Sequence, residues 1–187
     1  VDLIAAQKRG IKVSYTPDAP SLAVAELTLG LMLSMLRAVH ISNSQMHKGK
    51  WHRHFGKRLE KVTIGIIGVG RIGTGVLKRL KGFAPSKILV NDLKPNHRLD
   101  TEFELEWTSK EEIYKKADII SLHIPLTHLT KNMIKEEHLL TMKTDAMIIN
   151  TSRGGIINEH DLFKVMQSGH LSGCLLYTSP SPRDGLL

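Results

Sequence analysis

Short, continuous apolar runs alternate along this chain with longer stretches in which apolar positions recur every three or four residues. The runs at 62–67, 87–92, 118–122 and 146–149 are short and rich in β-branched residues, as expected of strands covered on both faces. Between and after them, 71–83, 135–142 and 159–168 carry helical spacing. A weaker alternating segment, 103–107, precedes a short helix that opens with the capping-box pattern Ser109-Lys110-Glu111-Glu112. Asn158 is placed to cap the last helix and Gly169 to end it. Strand and helix in strict alternation predict a parallel sheet with right-handed crossovers, an α/β doubly wound fold.

The first sixty residues follow another pattern. Residues 1–10 read as the end of a helix stopped by Gly10, and 11–15 as a short strand. Two prolines stiffen 16–20. Ser21 then caps a helix expected to run to about His47, apolar on nearly every side of its first half. A helix of that kind has to be covered on several faces. Another domain or another subunit would serve equally well.

Composition narrows the classes. A hydrophobic fraction of 41% and a charged fraction of 24% are those of a globular protein. The apolar stretch 23–36 is interrupted by Glu26, Thr28 and Ser34 and reads as too short and too polar to span a bilayer. No basic-plus-apolar leader opens the chain, and one cysteine, Cys174, rules out an internal disulfide. These features predict a cytoplasmic protein with no membrane partner. The net charge of +8 includes a dense basic run with two aromatics, HKGKWHRHFGKR at 47–58. It reads as a solvated connector, as a rim attracting an anionic ligand, or as a nucleic-acid surface; no nucleic-acid partner is expected. His47, His52 and His54 lack zinc spacing and a supporting carboxylate or cysteine set, so no metal is expected.

The chemistry concentrates after the first strand. Gly68-Val69-Gly70-Arg71-Ile72-Gly73 joins the run 62–67 to a helix, and Asp92 ends the second strand nineteen residues beyond Gly73. In this order the first glycine makes a tight turn, the second lets a pyrophosphate approach the backbone, and the third lets helix and strand pack closely. Helix-start amides face the phosphates with the helix dipole behind them. Asp92 would accept from the ribose hydroxyls and repel a 2′-phosphate, which predicts NAD rather than NADP.

Four stretches, Val24-Ala25-Glu26, TIGIIGVGRIG at 63–73, SLHIPLT at 121–127 and NTSRGG at 150–155, resemble in order and spacing the D-isomer-specific 2-hydroxyacid dehydrogenases. The likeness covers nearly all of 1–173. It implies a Rossmann cofactor domain inserted into a flavodoxin-like substrate domain, so that 1–17 would be a remnant of the substrate domain and 18–173 the NAD-binding domain. By the same resemblance Arg71 and Ile72 hold the pyrophosphate through their amides, and His123, Pro125 and Thr130 line the adenosine. His123 read alone could equally be a structural histidine bonded to backbone. Thr151 and Ser152 match the nicotinamide half, and Arg153 the catalytic arginine. A guanidinium suits that role independently, since it offers two parallel donors to a carboxylate and keeps its charge. Asn158 departs from the family's acid at that position but still caps a helix.

The family's acid–base histidine and the carboxylate that orients it belong beyond Gly173, where the match stops. The tail, CLLYTSPSPRDGLL at 174–187, reads as polar sequence replacing an expected strand, and resembles translated adapter sequence. The expected molecule is therefore an inactive piece of an NAD-dependent oxidoreductase acting on a D-2-hydroxy acid and its 2-keto acid. In the parent it would be a homodimer built through the 21–47 helix. A non-catalytic NAD-binding regulatory module is the rival reading.

Overall fold

The computed structural model describes residues 2–16 and 18–176. Its centre is a six-stranded parallel sheet in the order β3-β2-β1-β4-β5-β6. The strands are β1 (Thr63–Ile67), β2 (Lys87–Asn91), β3 (Leu105–Trp107), β4 (Ile119–Leu122), β5 (Met147–Asn150) and β6 (Gly173–Leu176). The order reverses between β1 and β4, and in open α/β sheets ligands bind outside the carboxyl ends of the strands at that point.

Both faces of the sheet are covered, which explains the unbroken apolar runs. Ile64 and Ile66 of β1 join Val90, Ile119 and Ile149 on one face, beneath α2 (Ala19–Leu36) and α4 (Arg71–Leu80). Ile67, Leu89, Ile120, Leu122 and Ile148 face α5 (Lys110–Lys116), α6 (Glu136–Thr141) and α7 (Glu159–Gln167). Gly65 is needed for that second layer, because a Cβ there would stand 2.3 Å from Ile113 Cγ2. The expected caps form: Ser109 Oγ accepts the Glu112 amide, and Asn158 Oδ1 accepts the amides of His160 and Asp161.

Five expectations need correction. The helix foreseen over 21–47 is two helices, α2 and α3 (Val39–His47), broken where Ala38 takes a left-handed φ of 50°. The buried stripe of Ala25, Thr28, Met32 and Leu36 ends at the break, and the Lys57 amide crosses to take the Leu36 carbonyl. No side chain of α3 is buried, so nothing in the core continues the first helix through Ala38. The N-cap falls at Asp18 rather than Ser21, with proline in the first turn. That earlier start also corrects the span argument: α2 has 18 residues and a mean hydropathy of 1.6, enough to cross a membrane by length and composition. Here its stripe packs on α4, where Gly75 leaves room for Ala25.

The segment 11–15 joins no strand among the described residues; Ile11, Val13 and Tyr15 are exposed after α1 (Leu3–Lys8). At the other end the sheet does not stop at Gly173. Cys174-Leu175-Leu176 pair with Ile148, Ile149 and Asn150 as β6, since three apolar residues suffice to extend an existing parallel edge. The remainder of the expected tail, 177–187, lies outside the described residues.

Candidate functional site

The turn after β1 has the geometry its glycines demand. Gly68 has φ 95°, and a Cβ on it would lie 2.5 Å from the His123 carbonyl oxygen. A Cβ on Gly73 would lie 2.1 Å from the Gly68 carbonyl, so the third glycine brings α4 down onto the turn. Gly70 differs from both: a Cβ there meets nothing within 4 Å. Its lack of a side chain serves no packing in the protein and leaves the backbone approachable from outside.

The start of α4 offers donors. Gly70 is its N-cap, no side chain caps it, and its first turn holds no acid. The Arg71 and Ile72 amides therefore stand among the orphan donors of a ten-residue helix, with the positive end of its dipole behind them. The Arg71 side chain turns aside to pair with Asp18 at 2.7 Å, both exposed. This arrangement fits a pyrophosphate held by backbone.

Asp92 closes the other side. Its Oδ2 accepts the Val69 amide at 2.7 Å, and its Oδ1 the Lys94 amide at 3.1 Å. The carboxylate is thereby locked against the glycine turn at the mouth of a cleft of about 450 Å³. Gly68, Gly70, Asp92, His123, Pro125 and Thr130 all line this cleft, so six of the predicted residues come together in one place. Larger by volume is a groove of about 580 Å³ between 81–88 and 102–106, but it holds none of them.

His123 and Thr130 shape the cleft wall. His123 Nε2 bonds the buried Ser121 hydroxyl at 2.9 Å, while its buried Nδ1 has no partner among the described residues. Burial pushes this imidazole down to about 4, so it is neutral at physiological pH. Thr130 Oγ1 donates to the Pro125 carbonyl at 2.6 Å and accepts the Thr127 amide at 2.7 Å. Its hydroxyl holds the loop in shape, and the loop in turn presents Pro125 to the cleft.

Thr151, Ser152 and Arg153 lie at the end of β5, beyond β4, and line a different part of the carboxyl edge. Asn150 organises them, and the sequence reading passed over it. Its buried side chain accepts the Ser152 amide at 3.0 Å and hydroxyl at 2.7 Å, and donates to the Arg153 carbonyl at 2.7 Å. Thr151 Oγ1 stands 3.0 Å from Thr28 Oγ1 of α2. The Arg153 guanidinium is exposed and donates to the Ser152 carbonyl at 2.7 Å. A polar residue closing an otherwise apolar strand was the available signal for Asn150. Leu93 and Lys110, also in the cleft wall, gave no comparable signal.

Comparison with known proteins identifies the domain. The family model for the D-isomer specific 2-hydroxyacid dehydrogenase, NAD binding domain, matches residues 29–182. The 2-hydroxyacid dehydrogenase homolog 1 of Schizosaccharomyces pombe is 39% identical over 178 residues, 94% of this chain and 53% of that protein. The hydroxypyruvate reductase of Thermotoga maritima is 36% identical, covering 98% of this chain and 60% of that protein. Among solved structures, the Aquifex aeolicus D-lactate dehydrogenase complexed with NAD and lactic acid superposes with a TM-score of 0.83 at 30% identity. That alignment covers 95% of this chain and 55% of the solved one. The chain spans about half the length of these relatives. The family whose model matches is defined by its NAD-binding domain, and the chain belongs to the D-isomer-specific 2-hydroxyacid dehydrogenases.

Proposed function

We propose that this chain is the NAD-binding domain of an oxidoreductase that interconverts a D-2-hydroxy acid and its 2-keto acid. The observation that carries the reading is the pairing of Asp92 with the Val69 amide inside a turn whose middle glycine faces open space. The Gly70, Arg71 and Ile72 backbone would hold the pyrophosphate and Asp92 the adenosine ribose. Pro125 and the His123 ring wall the adenosine side, and Thr151 and Ser152 line the nicotinamide half. NAD, when bound, supplies or accepts the hydride. Arg153 would bind the substrate carboxylate and polarise the carbonyl beside it. The relatives' names, hydroxypyruvate reductase and glyoxylate reductase, suggest short 2-keto acids as the first substrates to try.

The chain alone is proposed to bind the cofactor without turnover. Among the described histidines none hydrogen-bonds Arg153: His123 is held by Ser121, and His170 by the Met142 carbonyl before β6 begins. Its setting is proposed to be cytoplasmic. In the parent, two copies would meet through the 21–47 region, where Leu22, Val39 and Met46 are exposed apolar side chains.

NADH titration tests the reading directly. Gly70→Val should abolish binding while leaving the thermal midpoint nearly unchanged, because its Cβ would meet no protein atom within 4 Å and the side chain would stand in the proposed phosphate approach. Unaltered NADH affinity in that variant would reject the pocket. Reduction of hydroxypyruvate by the chain alone would reject the proposed lack of turnover.

A further inference from the structure

We propose that Thr28, on α2 and outside every predicted site, is a positioning residue. It fixes the Thr151 hydroxyl as a hydrogen-bond acceptor and so makes the site prefer a carboxamide to a carboxylate on the dinucleotide's pyridine ring. The proposal rests on the placement of the nicotinamide half at the turn after β5, given above.

Hydrogen counting supplies the argument. Thr28 is fully buried and its hydroxyl carries one hydrogen. Its Oγ1 lies 2.8 Å from the Val24 carbonyl, a group that can only accept, so the hydrogen is committed there. Thr28 Oγ1 also lies 3.0 Å from Thr151 Oγ1. With the Thr28 hydrogen already used, Thr151 must donate across that contact. Thr151 is then left with lone pairs alone for anything that reaches it.

Ser152 is polarised in the same sense. Its Oγ donates to Asn150 Oδ1 at 2.7 Å, and the orientation of the Asn150 amide is pinned because its Nδ2 donates to the Arg153 carbonyl. The two hydroxyls of the turn therefore present oxygen lone pairs rather than hydrogens. Lone pairs in a partly buried site pair well with an amide NH2 and repel a carboxylate. Nicotinamide carries the amide, and its close analogue nicotinic acid carries the carboxylate, on otherwise identical dinucleotides. The Arg153 guanidinium spends one of its N–H donors on the Ser152 carbonyl and is otherwise assigned to the substrate carboxylate.

The test is calorimetric titration of the chain with ADP-ribose, NAD and nicotinic acid adenine dinucleotide. In the unaltered chain NAD should bind more tightly than the other two. Thr28→Val keeps the shape and removes the hydroxyl. It should leave ADP-ribose affinity unchanged and shrink the preference for NAD over the acid by about tenfold, the worth of one hydrogen bond. Thr28→Ser, which keeps the hydroxyl, should restore the preference. A Thr28→Val protein that discriminates as before overturns the proposal. Should that variant lose ADP-ribose as well, its fold is damaged and Thr151→Val takes its place: the same narrowing supports the proposal, and full discrimination ends it. If the unaltered chain binds NAD no better than ADP-ribose, the nicotinamide placement falls and this proposal with it. Cofactor binding through Asp92 would still stand.

Discussion

The two turns that border the site, one after β1 and one after β5, are built by opposite means. At 68–73 the structure depends on what is missing: three side chains are absent, two where backbone would collide with them and one, at Gly70, where the backbone is left open to the outside. At 150–153 it depends on what is present, since Asn150, Thr151 and Ser152 spend their polar atoms on one another, on Arg153 and on Thr28. Where its glycines are packed against backbone, at 68 and 73, the first turn is rigid by sterics and tolerates no addition. A turn made of side-chain hydrogen bonds is rigid by satisfaction and tolerates no removal. The first suits a ligand gripped by backbone, the second a ligand whose functional groups must be told apart.

The largest expected effect falls on the steric turn. In Gly73→Ala the new methyl would stand 2.1 Å from the Gly68 carbonyl, and both groups belong to backbone held between β1 and α4. Relief requires moving the helix, so a loss of about 4 kcal/mol or more is expected, seen as a collapse of the denaturant midpoint. A protein of ordinary stability would show that this approach is looser than the structure has it. The bonded turn should fail next. Asn150→Ala frees the half-buried Ser152 amide and Arg153 carbonyl from their partner and empties the volume of a buried amide, at roughly 2 kcal/mol. The two turns also differ in rescue. Asn150→Asp should recover part of the loss by accepting from Ser152, whereas no larger residue than glycine can recover Gly73.

His123, whose carbonyl lies against Gly68, makes a contribution that depends on pH. The folded protein holds its imidazole near 4, while the unfolded chain titrates close to the usual 6.5. The unfolded state therefore binds the extra proton between those values. Stability is full above about pH 6.5, falls as pH drops towards 4, and levels off below it. The swing should be about 2–3 kcal/mol, and His123→Gln should remove it from the difference between denaturant midpoints at pH 4.5 and 7.5. An identical pH dependence in the two proteins would mean that the ring is open to water.

The contrast between the turns also accounts for what could be read beforehand. Glycine at 68 and 73 leaves a trace in the sequence because a side chain would collide with backbone there, and Gly70 and Asp92 complete a pattern fixed by the spacing of strand and helix. Strands β1, β2, β4 and β5 were legible because both faces of the sheet are covered, which makes them uniformly apolar. Asn150 left one trace, a polar residue closing an apolar strand, but its bonds to Ser152 and Arg153 belong to the folded turn. Thr28 left none, because its partner Thr151 stands 123 positions away and is brought close only by folding. The break at Ala38 and the short edge strand β6 escaped for the same reason: one is set by Lys57 reaching across to Leu36, the other by an existing edge at β5.

The smallest effect separates a bonded turn that serves the site from one that serves only the fold. Asn158 lies eight positions past Asn150 and likewise accepts twice through one Oδ1, from the His160 and Asp161 amides at 3.1 Å each, where Asn150 takes one amide and one hydroxyl. As acceptors the two asparagines are alike. They differ in what hangs from them, because Asn158 caps α7 and holds no residue of the 151–153 turn. Asn158→Ala should therefore cost about 1 kcal/mol, the ordinary worth of an N-cap, and leave NAD affinity untouched. Asn150→Ala, measured at a temperature where it stays folded, should weaken NAD while sparing ADP-ribose. If Asn158→Ala weakened NAD to the same degree, the turn after β5 would owe its shape to α7 rather than to its own hydrogen bonds, and the division between the two asparagines would dissolve.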